Sequence, residues 1–153
     1  MLSGCAMAQE GPQGRLVYCS YSETGAAGLG KNYCELVADP GAEPKVVVVL
    51  DHDCRFADER KAEYPVEASL ADSLKVRLAA AKVYELDGYN LQEAITGGTI
   101  YRIYMEYDSG EKINARWYGH DVKPEAWSAF HLIRSCLEPW RDRLEQEQPQ
   151  ILR

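Results

Sequence analysis

The densest group of chemistry-bearing side chains is Asp51-His52-Asp53-Cys54, in which two carboxylates flank an imidazole and a thiol. Such groups ligate transition metals or act as base and nucleophile. They follow a valine-rich run and therefore stand at the end of a strand, where active-site residues often gather. A metal set would have to recruit His120, Asp121 or His131 from elsewhere, and no repeated ligand spacing is present. The segment reads as a polar loop whose aspartates take backbone hydrogen bonds. A small hydrolase or metal-dependent enzyme built on Asp51 to Cys54 is the alternative. No catalytic residue, metal or cofactor is assigned.

Cysteine usage is the second source of chemistry. If Cys5 is acylated or removed, Cys19, Cys34, Cys54 and Cys136 remain, an even number that allows three pairings. A hairpin with its turn centred between Ala26 and Ala27 sets Val17 opposite Leu36 and Cys19 opposite Cys34. That register gathers the apolar residues on one face, and it places the two thiols for a disulfide suited to an oxidising compartment. The other reading is two free core thiols. Cys54 and Cys136 have no geometric reason to pair, and nucleophilic use of a thiol would need a histidine and an electropositive setting.

A third constellation lies in the later hairpin. Pairing Tyr107 with Glu111 puts Arg102 directly opposite Arg116, an arrangement that costs stability unless acids or a ligand intervene. Tyr104, Asn114 and Tyr118 surround them. These five residues form a candidate shallow site for an anionic or sugar-like ligand, with guanidinium donors and aromatic platforms. The contrary reading has Glu106 and a neighbouring strand neutralising the arginines. The Gly25 to Gly30 stretch lacks the ending of a phosphate loop and sits between strands, so it reads as a hairpin loop.

The elements that position these groups follow from periodicity. Residues 15 to 22 and 31 to 38 read as strands joined in a hairpin, and Lys45 to Asp51 as a third, central strand buried on both faces. Residues 53 to 65 are charged and irregular. Val66, Leu70, Leu74, Leu78 and Ala81 then recur at helical spacing, with Ser69 or the Glu67 region as cap. Lys82 to Leu86 reads as a short strand. Thr99 to Tyr107 and Glu111 to Tyr118 alternate cleanly, and Gly110 supplies the positive φ of a bulged turn. Pro124 opens a long helix whose apolar stripe runs from Trp127 through Phe130, Ile133, Leu137 and Trp140 to Leu144. Asp121 helps to cap it, and Pro139 kinks it near Ser135 to Glu138.

The chain of 153 residues is 46% hydrophobic and 27% charged, as expected of one globular domain. Its net charge of -7 argues against nucleic acid as a partner. Its longest apolar run is far short of the roughly 20 residues that cross a bilayer. Residues 1 to 14 are small, Gly-rich and aperiodic. Leu2-Ser3-Gly4-Cys5 resembles the site at which bacterial lipoproteins are cut and acylated, and Ala6-Met7-Ala8 resembles an ordinary signal-peptidase site.

Asp87-Gly88-Tyr89, Tyr107-Asp108-Ser109-Gly110, Ile113 and Pro124-Glu125-Ala126-Trp127 occur here in a fixed order. In this the chain is similar to a class of uncharacterised exported proteins of gut bacteria, over most of residues 15 to 145. The resemblance implies export and brings no activity or catalytic residue.

The expected fold is α+β: an antiparallel sheet of about five strands, two hairpins plus a central strand, with two helices packed on one face. Its order is β-β-β-α-(β)-β-β-α. Residues 15–147 form the domain, 1–14 a signal remnant or stub, and 148–153 a frayed tail. The expected function is an exported cell-envelope module that binds a protein or a small polar or anionic ligand. Membrane contact is expected only through a lipid anchor at Cys5.

Overall fold

The computed structural model describes residues 11–25, 30–51, 59–94 and 98–148. The protein is α+β: one mixed sheet of seven strands and two helices. The strands are β1 (Leu16–Gly25), β2 (Lys31–Val37), β3 (Lys45–Asp51), β4 (Arg60–Pro65), β5 (Asn90–Gln92), β6 (Thr99–Tyr107) and β7 (Lys112–Tyr118). The helices are α1 (Ala68–Ala80) and α2 (Pro124–Glu147). The order across the sheet is β4-β3-β2-β1-β6-β7-β5.

Three expectations about the sheet are corrected: strand number, strand direction and the place of β3. It has seven strands rather than five, and it is not wholly antiparallel, because β5 pairs with β7 in parallel. The charged stretch before the first helix contains β4, whose alternation of exposed Lys61 and Glu63 with buried Arg60 and Tyr64 marks a strand with one wet face. Residues Val83–Leu86 form a 3-10 helix that turns Val83 and Leu86 into the core, not a strand. Nor is β3 central. It lies next to the edge strand β4, and β1 occupies the middle.

The β6–β7 hairpin has the register that its alternation demands, with Arg102 opposite Arg116 and Met105 opposite Ile113. The Tyr107 amide donates to the Glu111 carbonyl at 3.0 Å, and Gly110 adopts φ +92° in the turn. The β1–β2 hairpin differs by two residues from the expected pairing: Cys19 faces Leu36, and Cys34 faces Tyr21. The expected Cys19–Cys34 disulfide is therefore absent, and both thiols are free and buried. A two-residue slip keeps every side chain on its face, so burial alone cannot distinguish the registers. It leaves the two cysteines as diagonal neighbours, roughly 7–8 Å apart, beyond ordinary disulfide reach.

The inward residues of the sheet join α1 and α2 in one core. Ala71, Leu74 and Leu78 come from α1, and Phe130, Ile133, Leu137 and Leu144 from α2. Beneath α2, Trp117 stacks on Tyr101 and meets Trp127 and Phe130 edge-on. Leu16 and Cys19 both face this core although three residues apart, because a bulge between Leu16 and Tyr18 resets the alternation. The N-caps of α1 and α2 are Glu67 and Lys123, neither with a side-chain cap bond, and Pro124 takes the first turn of α2. That helix continues through Pro139.

Residues 11–14 are tied to the domain. The Gln13 amide donates to Glu111 Oε1, and the Arg15 amide to Asp108 Oδ1. Lys75 Nζ donates to the Gly14 carbonyl. Cys5 and residues 149–153 lie outside the described residues.

Candidate functional site

The sheet face opposite the helices carries the five residues singled out from the later hairpin. Side chains there come from β1, β6 and β7 in register. Ser22 stands beside Arg102, which faces Arg116, and Ser20 stands beside Tyr104, which faces Asn114. Arg102, Asn114 and Arg116 are exposed, and Tyr104 and Tyr118 are half-buried. Arg102 donates through Nε to Asn114 Oδ1 at 3.0 Å and lays its guanidinium over the Tyr104 ring at 4.9 Å. Its other guanidinium donors stay available. Arg116 makes no side-chain bond or ion pair among the described residues.

Among the described residues neither arginine has a carboxylate partner, and Glu35 and Glu106 on this face are bonded by tyrosines. The Tyr18 and Tyr33 hydroxyls both reach Glu35 Oε2, and the Tyr104 hydroxyl donates to Glu106. Lys112 stands 3.9 Å from the same Glu106 carboxylate. Tyr18 also meets the edge of Tyr104, with ring centroids 5.7 Å apart. Burial and the Glu35 carboxylate push the Tyr18 hydroxyl up to about 12. Burial, with the same carboxylate, pushes Tyr33 higher still. The bond to Glu106 raises Tyr104. All three hydroxyls therefore remain protonated donors at neutral pH.

Sequence reading missed Tyr18, Tyr33 and Ser22. They reach this face only because β1 pairs with β6 across a long stretch of chain. Tyr18, Ser20 and Ser22 do alternate with inward Cys19 and Tyr21, so their outward placement was legible, but their neighbour was not.

The Asp51 to Cys54 cluster is described only at Asp51, which ends β3; His52, Asp53 and Cys54 lie outside the described residues. His120 and His131 are exposed at separate places, His120 after β7 and His131 on α2 beside Trp127. Among the described residues no three His, Cys, Asp or Glu side chains are grouped to hold a metal. Glu93 instead accepts the His120 and Asp121 amides at 3.0 and 2.8 Å, fixing the turn after β7. Those bonds hold its carboxyl below the usual range. Cys136 on α2 accepts a bond from Arg77 Nη1 at 2.9 Å, which ties α1 to α2.

Compared with known protein families and with curated proteins, the sequence matches none of them.

Proposed function

We propose that the chain is a cell-envelope binding module that holds a short glycan bearing an acidic sugar on its open sheet face. The observation that carries this reading is the cross-strand Arg102–Arg116 pair, two like charges side by side with their local acids occupied by tyrosines. Like charges directly opposite destabilise a sheet, so a partner carboxylate supplies what the fold omits. Guanidinium pairs bind carboxylates by two parallel hydrogen bonds, and the flanking Tyr104 and Tyr118 rings suit the faces of a sugar.

A protein partner is a poorer fit. Interfaces between proteins have an apolar centre, whereas Val76, on α1, is the exposed large apolar residue among those described. A long polyanion is disfavoured by the net charge of -7. A single acidic sugar suits the local patch, since charges farther than roughly 8 Å are screened at physiological salt. The placement at the envelope rests on the lipoprotein-like Leu2 to Cys5 stretch and the resemblance to exported proteins.

The test is nuclear magnetic resonance titration with glucuronate and with glucose, which share a ring and differ in the carboxylate. Glucuronate is expected to shift the Arg102 and Arg116 Nε–H resonances saturably, and glucose is not. The Arg102→Ala and Arg116→Ala variants should each weaken binding about tenfold, the value of one charge-assisted bond. Equal shifts with both sugars, or undiminished binding by both variants, would overturn the proposal.

A further inference from the structure

Strand β4 closes one end of the sheet, and among the described residues nothing pairs with its outer side. It has six residues against three in β5, the edge at the other end. One bond shows which of its backbone groups face outward. The Val66 amide donates to the Pro44 carbonyl at 3.0 Å, and hydrogen-bonded pairs recur at every second residue of an antiparallel ladder. Arg60, Ala62 and Tyr64 therefore turn their amides and carbonyls to Leu50, Val48 and Val46 of β3. Lys61 and Glu63 turn both groups away from the sheet, and Pro65, which has no N–H, turns out a carbonyl.

The helix side of β4 is held firmly. Arg60 reaches Glu145 of α2 at 3.0 Å, the Tyr64 hydroxyl donates to Glu147 at 2.9 Å, and Arg143 lies over the Tyr64 ring at 4.6 Å. On the open face Glu63 stands 3.3 Å from Lys45, and Lys61 makes no ion pair among the described residues. Ala62 packs against the core yet is only half-buried. Charge on an edge strand ordinarily keeps it from pairing. Here the two charges are opposite and stand symmetrically about a small residue, a pattern complementary to itself.

We propose that β4 pairs antiparallel with β4 of a second copy of this chain, about a two-fold axis at Ala62, so that two sheets join edge to edge. Lys61 of each copy then stands opposite the partner's Glu63, and the outward amide of each meets the outward carbonyl of the other. The Glu63 carboxylate keeps Lys45 on one side and gains a lysine on the other. The central Ala62 pair occupies a non-hydrogen-bonded position, where Cα atoms approach to roughly 4.5 Å and small side chains close over the half-buried surface. Other registers fit worse. An axis at Lys61 or at Glu63 sets like charges opposite each other, and an axis between residues sets outward groups against inward ones. Main-chain bonding needs no apolar centre, so the scarcity of exposed apolar residues is no obstacle. The contact is isologous and small, which makes a weak, concentration-dependent dimer. It does not depend on the acidic-sugar site, and it leaves both copies of that site on the same side of the joined sheet.

The experiment is sedimentation velocity of the full chain under reducing conditions, from about 1 to 500 μM. The mass is expected to rise from one chain to two across that range. Lys61→Glu and Glu63→Lys each set like charges across the axis and should each weaken association at least tenfold. Mixed together, these two variants are complementary at both positions and should form a heterodimer, and the double variant should self-associate as the parent does. Both positions are exposed, and circular dichroism checks that each variant is folded. A further variant, Ala62→Cys, should give on oxidation a covalent dimer whose cross-link maps to position 62 on both chains. The proposal is overturned if the unaltered chain keeps the mass of one chain throughout. It is overturned equally if either single variant dimerises like the parent, if the mixture fails to associate, or if Ala62→Cys gives no such cross-link.

Discussion

Tyr18 shows how one side chain on the open face serves both packing and polarity. Its ring lies against Tyr104, and its hydroxyl joins Tyr33 on Glu35. Burial, aided by Glu35, raises its ionisation from 10.0 to about 12. Because the folded value is the higher one, the folded state keeps a proton that the unfolded chain releases. The resulting stability is fully present below pH 10 and is lost as the pH rises through 12. Denaturant melts across the alkaline range should show unfolding free energy level through neutrality and falling above pH 10. In Tyr18→Phe the fall should be shallower, and an identical slope would show that this hydroxyl is not coupled to folding.

At the scale of elements, the β6–β7 hairpin is set by short-range rules. Gly110 takes φ +92°, and a β-carbon there would meet nothing within 4 Å. Backbone strain alone then determines the outcome of substitution. Gly110→Ala should lower stability by about 1–2 kcal/mol, with Gly110→Asn costing less because asparagine tolerates the left-handed region. Urea melts of the two variants check this order. The β1–β2 hairpin is the contrasting case. Its loop is longer and its faces survive a two-residue slip, so the pattern of Val17, Cys19, Cys34 and Leu36 fits two registers equally. The disulfide expected from one of them vanishes in the other.

For the molecule as a whole, the core opens or stays closed as a unit, and its thiols can report which. Cys19 and Cys34 lie on the inward sheet face, fully buried. Burial pushes the Cys34 thiol up to about 11 and Cys19 further still. Cys136 is half-exposed on α2 and bonded by Arg77. Alkylation at neutral pH followed by peptide mapping should mark Cys136 in the native protein, and Cys19 and Cys34 only after denaturant is added. Native labelling of Cys19 at the rate of Cys136 would mean that the sheet and α2 separate readily.

What the sequence determined by itself was local: two amphipathic helices from their apolar spacing, the Gly110 turn, and an Arg102–Arg116 pair from strict alternation. Each depends on residues close in the chain, where turn chemistry and side-chain period leave one solution. Tertiary structure decided the rest. Pairing of β1 with β6, the parallel β5, and the inward row of Glu23, Asn32 and Arg60 under α2 all join distant segments. Charged residues on an inward face contradict the alternation rule, and only partners supplied by α2 make them affordable there.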